Sequence, residues 1–105
     1  MKTPEIEITY IWHNDQKDFE FEFILDGNRL DANVLISETE AYYEQMDEPG
    51  VYVRKLCNAF NIDDLTYFND DNEPIALTDT QNAVTRLKIA EYIAEITNLV
   101  CAEHL

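Results

Sequence analysis

Apolar and polar residues alternate from Glu5 to Trp12, with Ile6, Ile8, Tyr10 and Trp12 on one side and Glu5, Glu7, Thr9 and Ile11 on the other. The same period returns at 19–25, where Phe19, Phe21, Phe23 and Leu25 oppose Glu20, Glu22 and Ile24. A period of two is that of a half-buried strand. Gly27-Asn28 is a two-residue hairpin signal, and Leu30, Ala32, Val34 and Ile36 resume the alternation beyond it. A turn there sets Leu25 opposite Leu30, Phe23 opposite Ala32, Phe21 opposite Val34 and Phe19 opposite Ile36, and it faces Asp26 with Arg29, a favourable pair. Closing the first hairpin over residues 13–18 sets Trp12 against Phe19 and Ile8 against Phe23. The pattern predicts a three-stranded antiparallel meander with one apolar face.

Beyond Ile36 the spacing changes. Ser37 with Glu40 three residues on reads as a capping box, which predicts a helix to about Asp47, with Tyr42, Tyr43 and Met46 on one side and Glu40, Glu44, Asp47 and Glu48 on the other. Glu48-Pro49-Gly50 breaks it. Val53, Leu56, Cys57 and Phe60 then continue at helical spacing to Asn61. Leu65–Phe68 and Ile75–Leu77 read as a short hairpin across the turn-rich 69–74. Thr78, Asp79 or Thr80 caps a last helix running from about Gln81 to Cys101, apolar over most of its circumference and so expected to be buried on more than one side. The expected fold is one α+β domain over residues 1–105: a three-stranded antiparallel meander, then helices, a short β-hairpin and a long C-terminal core helix.

Charge separates this chain from an ordinary small domain. Twenty-two acidic residues stand against seven basic ones, a formal charge of −15, in a chain of 105 residues that is 46% hydrophobic. Disordered acidic chains are poor in aromatics, whereas this one carries five Phe, six Tyr and a Trp, so the charge decorates a folded body. The acids are unevenly placed: thirteen with three bases in residues 1–50, nine with four in residues 51–105. Such a field repels nucleic acid and anionic membrane and attracts basic protein surfaces. The N-terminal residues form no signal-like apolar run, and no stretch approaches the ~20 apolar residues of a membrane span, so the expected location is cytoplasmic. Cys57 and Cys101, each in an apolar pattern, read as free thiols of a reducing compartment.

Catalytic and metal signatures are weak. Asn69–Glu73 with Asp63 and Asp64 invites a calcium reading, but an EF-hand loop needs a Gly at its sixth position and no Gly follows Gly50. Glu20 and Glu22 as an acid–base pair need a cleft, and neighbours on one exposed strand face make none. Cys57 with His13 or His104 could make a thiol nucleophile pair, but both histidines fall at expected flexible positions and Cys57 in an apolar pattern. No Gly-rich phosphate loop, Gly-x-Ser-x-Gly or His-Glu-x-x-His occurs. The expectation is a protein that is not an enzyme and takes no cofactor or metal.

Spacing points elsewhere. Glu5 with Glu7, and Glu20 with Glu22, are i,i+2 pairs about 6.5–7 Å apart on a strand. Glu40, Glu44 and Glu48 would stand about 6 Å apart along a helix. These separations compare with those of neighbouring phosphates along a nucleic-acid strand, so such carboxylates can occupy Lys and Arg sites built for phosphate. In size and charge the chain resembles small acidic nucleic-acid-mimic inhibitors, among them phage anti-restriction and anti-CRISPR proteins, and nuclease immunity proteins. That profile implies an inhibitor blocking the basic nucleic-acid-binding surface of a nuclease, CRISPR effector or DNA-binding protein, in the host cytoplasm if phage-encoded. An immunity protein for a cognate nuclease toxin and a structural or assembly protein are the alternatives. The partner-binding residues are then Glu5, Glu7, Glu20, Glu22, Glu40, Glu44, Asp47, Glu48, Asp70 and Asp71. A homodimer through the apolar last helix is also expected.

Overall fold

The computed structural model of the chain describes residues 3–105. Its elements are β1 (Ile6–Asp15), β2 (Asp18–Leu25), β3 (Asn28–Glu48), β4 (Val51–Phe68), β5 (Pro74–Ile75), the helix α1 (Asp79–Thr97), β6 (Val100–Cys101) and a closing 3-10 turn, Ala102–His104. The strands form one sheet in the order β1-β2-β3-β4-β5, antiparallel throughout, with β6 added parallel to β4 at Ala59 and Phe60. The expected three-stranded meander followed by several helices is therefore corrected to a long meander carrying, among the described residues, a single α-helix.

Both middle helices are absent because residues 37–48 and 51–61 are strand. The Ser37–Glu40 signal is coincidental: Ser37 Oγ hydrogen-bonds Asp63 Oδ1 across the β3–β4 ladder at 3.0 Å. Thr, Tyr and Val at 39, 42, 43 and 51–53 are strand formers that fit a pleated surface, and β3 and β4 pair from Asp31–Phe68 to Glu48–Val51. Pro49-Gly50 does not end a helix. It closes a hairpin, with Gly50 at φ +83°, the order and sign that a type II turn requires.

The first two hairpins form as expected but in shifted register. Asp26 and Gly27 both have positive φ, +48° and +85°, so the two-residue loop is Asp26-Gly27 in the type I′ sense, not Gly27-Asn28. Leu25 then pairs with Asn28, Phe23 with Leu30, Phe21 with Ala32 and Phe19 with Val34. A slip of two residues preserves the faces, so the same side chains remain inside. Gly27→Val forces a β-branched residue into the left-handed region and is expected to cost about 1–2 kcal/mol, read as a lowered urea midpoint.

A bulge decides the first strand. Ile8 pairs with Phe23 as expected, but Thr9 is extra, so Tyr10 pairs with Glu22 and Ile11 with Phe21. One inserted residue exchanges the two faces. Ile11 and His13 now point to the core side, His13 stacking on Phe19 at 4.3 Å, and Trp12 turns outward.

The core lies between the sheet and α1. Phe19, Phe21, Phe23, Leu25, Ala32, Val34, Ile36, Phe60, Ile62 and Tyr67 meet Ile89, Ala90 and Ile93 of the helix. Thr78 caps α1 in a capping box with Gln81, and Asn98 at φ +59° ends it. The helix is thus shorter than its apolar pattern suggested, and Cys101 is buried in β6. Among the described residues no helix is long and apolar enough to cross a membrane.

One part of the sheet leaves this core. No residue from Ser37 to Asn58 is buried, and over that span, among the described residues, β3 and β4 pair only with each other. The β3–β4 hairpin is a projecting arm. The radius of gyration, 15.7 Å, exceeds the ~13 Å of a compact domain of this length, and the molecule measures 52 × 37 × 19 Å.

Candidate functional site

Alternation along the strands gives the sheet two faces, and α1 covers one. The helix-free face receives Asp18, Glu20, Glu22 and Ile24 from β2 and Arg29, Asp31, Asn33 and Leu35 from β3, because Phe19, Phe21, Phe23, Leu30, Ala32 and Val34 point the other way. Asp64 of β4 joins beside Leu35. The carboxylates of Glu7, Asp18, Glu20, Glu22, Asp31 and Asp64 thus share one surface with Arg29. Glu20 is about 6.8 Å from each β2 neighbour along the strand, and Glu22 about 5 Å from Asp31 across the ladder.

Two aromatic rings border these acids. The Thr9 bulge puts Tyr10 beside Glu22 and Trp12 beside Glu20, with ring centroids 4.2 Å apart. Trp12 is 42% exposed and Tyr10 53%, large apolar surface for a face otherwise so charged.

Arg29 ties the face together. Its guanidinium pairs with Glu22 and reaches Asp70 of the β4–β5 turn at 3.1 Å. Arg29, helped by Thr9 Oγ1 donating at 3.1 Å, holds the Glu22 carboxyl below its ordinary range, and the same pairing raises Arg29. Glu22 is therefore committed within the fold, whereas Glu20, Asp31 and Asp64 enter no ion pair among the described residues.

The acids expected from sequence divide into groups. Glu7, Glu20 and Glu22 do share the helix-free face. Glu5 precedes β1, its backbone N–H donating to Asp26 Oδ1 at 2.9 Å. Asp70 joins the margin through Arg29, and Asp71 is exposed in the same turn, its N–H held by Asn69 Oδ1 at 3.0 Å. Glu40, Glu44, Asp47 and Glu48 lie on the arm instead, and no helical ridge exists. Residues i and i+4 on a strand stand about 13 Å apart, twice the helical separation, and the ladder places Glu40 and Glu44 on the side of the sheet from which Phe60 enters the core. Sequence reasoning missed Asp18, Asp31 and Asp64. The first two continue the alternation already recognised; Asp64 required β4 to be seen as a strand.

Other chemistry resolves into structural roles. In the 69–73 turn, Asn69 Oδ1 accepts from the N–H groups of Asp71 and Glu73, which fixes the loop. Cys101, Glu103 and His104 bring possible ligand atoms within 4.8 Å of one another. Glu103 is engaged by Arg86, whose Nε lies 3.0 Å from Oε2, and Arg86 also donates to the Ile62 carbonyl at 3.5 Å. This cluster clamps the C-terminal turn to α1 and β4. The Arg86 bond holds the Glu103 carboxyl low, while burial pushes the Cys101 thiol up. Both cysteines are free, with Cys57 on the arm opposite Ala41 rather than in a helix. A cavity of about 420 Å³ opens between the β2–β3 and β4–β5 turns over Leu25, Leu30, Ile75 and Leu77, and Asp70 at its rim is already paired with Arg29.

Comparison with protein-family models, curated proteins and solved structures finds no match for the chain.

Proposed function

We propose that this protein is a non-enzymatic acidic inhibitor whose helix-free face occupies the basic nucleic-acid-binding surface of another protein, a nuclease, CRISPR effector or DNA-binding protein of the kind phage anti-defence proteins block. The observation that carries the reading is the grouping of Asp18, Glu20, Glu22, Asp31 and Asp64 on one sheet face beside Tyr10 and Trp12. Carboxylates separated by one strand repeat or one ladder step can satisfy Lys and Arg residues spaced for phosphates. The paired rings offer what an Arg-rich groove also accepts, a flat surface for a guanidinium and an aromatic anchor. The field of a −15 body speeds the encounter. An immunity protein would use the same face against one cognate toxin nuclease.

Competition is the test. A basic partner captured by the immobilised chain, loaded with labelled DNA or RNA, should release the nucleic acid as the chain is added, followed by fluorescence anisotropy. Glu20→Lys with Asp31→Lys should weaken that competition by roughly 10- to 100-fold, since each reversal exchanges attraction for repulsion at an interface. Simultaneous binding of both ligands would sink the reading.

A further inference from the structure

The β3–β4 arm is a two-stranded ribbon with no third strand beside it among the described residues. Isolated two-stranded ribbons are at best marginally stable in water, yet this one projects with both long edges unpaired among the described residues over 37–48 and 51–58. Tyr42, Met46, Tyr52 and Leu56 on one of its faces are each more than half exposed. An unpaired edge this long presents backbone N–H and C=O groups ready for another strand.

Charge distinguishes the two edges. The β3 side carries Glu38, Glu40, Glu44, Asp47 and Glu48 and no base, whereas residues 49–62 contain Arg54 and Lys55 and no acid at all. In a chain with twenty-two acids, this is a stretch of strand edge that another copy can approach with little repulsion. Neither Arg54 nor Lys55 forms an ion pair among the described residues; the Arg54 guanidinium lies 4.5 Å over the Tyr42 ring.

We propose that β4 of the arm pairs antiparallel with β4 of a second copy about a twofold axis at Val53, giving a four-stranded sheet β3-β4-β4-β3. That register sets Tyr52 of each copy opposite Arg54 of the other and Val51 opposite Lys55, so no like charges oppose. Centring on Arg54 or Lys55 sets each opposite its own copy, which is unfavourable. Centring nearer the body drives the partner's arm tip into β6, which already occupies the edge at Ala59 and Phe60. The chosen register holds the two acidic bodies at opposite ends of the shared sheet, and the twofold axis, normal to that sheet, turns both helix-free faces to the same side. A single patch pairing with itself closes the assembly at two. Self-association thus belongs to the arm rather than to α1, and it does not depend on what the acidic face binds.

The mass of the full chain should be measured by light scattering from 5 to 500 µM in 0.5 M salt, which screens the repulsion between bodies. The expected result is a concentration-dependent rise from 12.3 kDa to twice that value. Val53→Glu and Val53→Lys each place like charges on the axis and should weaken the dimer at least tenfold while leaving the circular dichroism of the fold unchanged. Mixed in equal amounts, the two variants should recover the dimeric mass, because Glu then meets Lys across the axis; a merely local effect on the arm could not be rescued by a second chain. A wild-type monomer at all concentrations overturns the proposal and leaves the edge to a strand from a different protein. A Val53→Glu protein that dimerises like wild type, or a mixture that stays monomeric, overturns it as well.

Discussion

Phe21→Ala is expected to lower the free energy of unfolding by about 3–5 kcal/mol, the cost of deleting a fully buried aromatic and leaving a cavity behind. Phe21 is 0% exposed at the centre of β2, between Ile11 and Ala32, and the facing helix is fixed at both ends by Thr78 and Asn98, so the site cannot readily collapse. A loss of that size is a large share of the 5–15 kcal/mol that holds a small domain folded. Trp12→Ala removes a larger side chain and should cost only about 1 kcal/mol, because the Thr9 bulge has turned Trp12 to the exposed face. Urea titrations followed by circular dichroism compare the two directly. Equal losses would mean that β1 keeps an unbroken alternation, with Trp12 inside.

Alkaline pH should unfold the protein through Tyr67. Its ring packs edge-on to Phe23 at 6.2 Å, and its hydroxyl donates to Asn82 Oδ1 at 2.8 Å. Burial pushes its pKa up to about 12 from the ordinary 10. The folded state therefore holds the phenolic proton more tightly than the unfolded chain does. The associated stability is fully present below pH 10 and is lost as pH rises through 12. A raised pKa of this kind corresponds to stability on the order of 2 kcal/mol. The Cys101 thiol, also raised by burial, acts with the same sign but from lower pH. Comparing wild type with Tyr67→Phe isolates the tyrosine, since both retain Cys101: the urea midpoint of wild type should fall more steeply between pH 10 and 12. Parallel curves would remove Tyr67 from the alkaline transition.

How far the acidic face could be read in advance follows from the same alternation. Glu20 and Glu22 are placed by the buried phenylalanines that flank them, and Asp18 and Asp31 obey the same rule. Tyr10 and Trp12 could not be placed that way. The Thr9 bulge that exposes them has no mark of its own in the sequence, since an extra residue only matters once β2 is there to pair with. The arm acids were misplaced for a related reason. Glu40, Glu44 and Glu48 repeat every four residues, which suits a helix, but on a strand the even spacing simply keeps Glu40 and Glu44 on one face.

Local pattern alone determined that β1, β2 and the first part of β3 are strands, that Phe19 to Ile36 supply the inward faces, that a helix begins within Thr78, Asp79 and Thr80, and that the surface is overwhelmingly acidic. Those properties depend on period, capping chemistry and composition, all contained in short windows. Tertiary structure decided the rest: the Asp26-Gly27 register, the Thr9 bulge, the choice of strand over helix for residues 37–61, and the projection of the arm. Residues 37–61 satisfy a helical and an extended pattern in turn, and what separates the two is long-range. The β3–β4 ladder hydrogen-bonds both backbones across a hairpin closed by Pro49-Gly50, with Ile36, Phe60 and Ile62 anchoring its root in the core, a pairing that no single window of sequence contains.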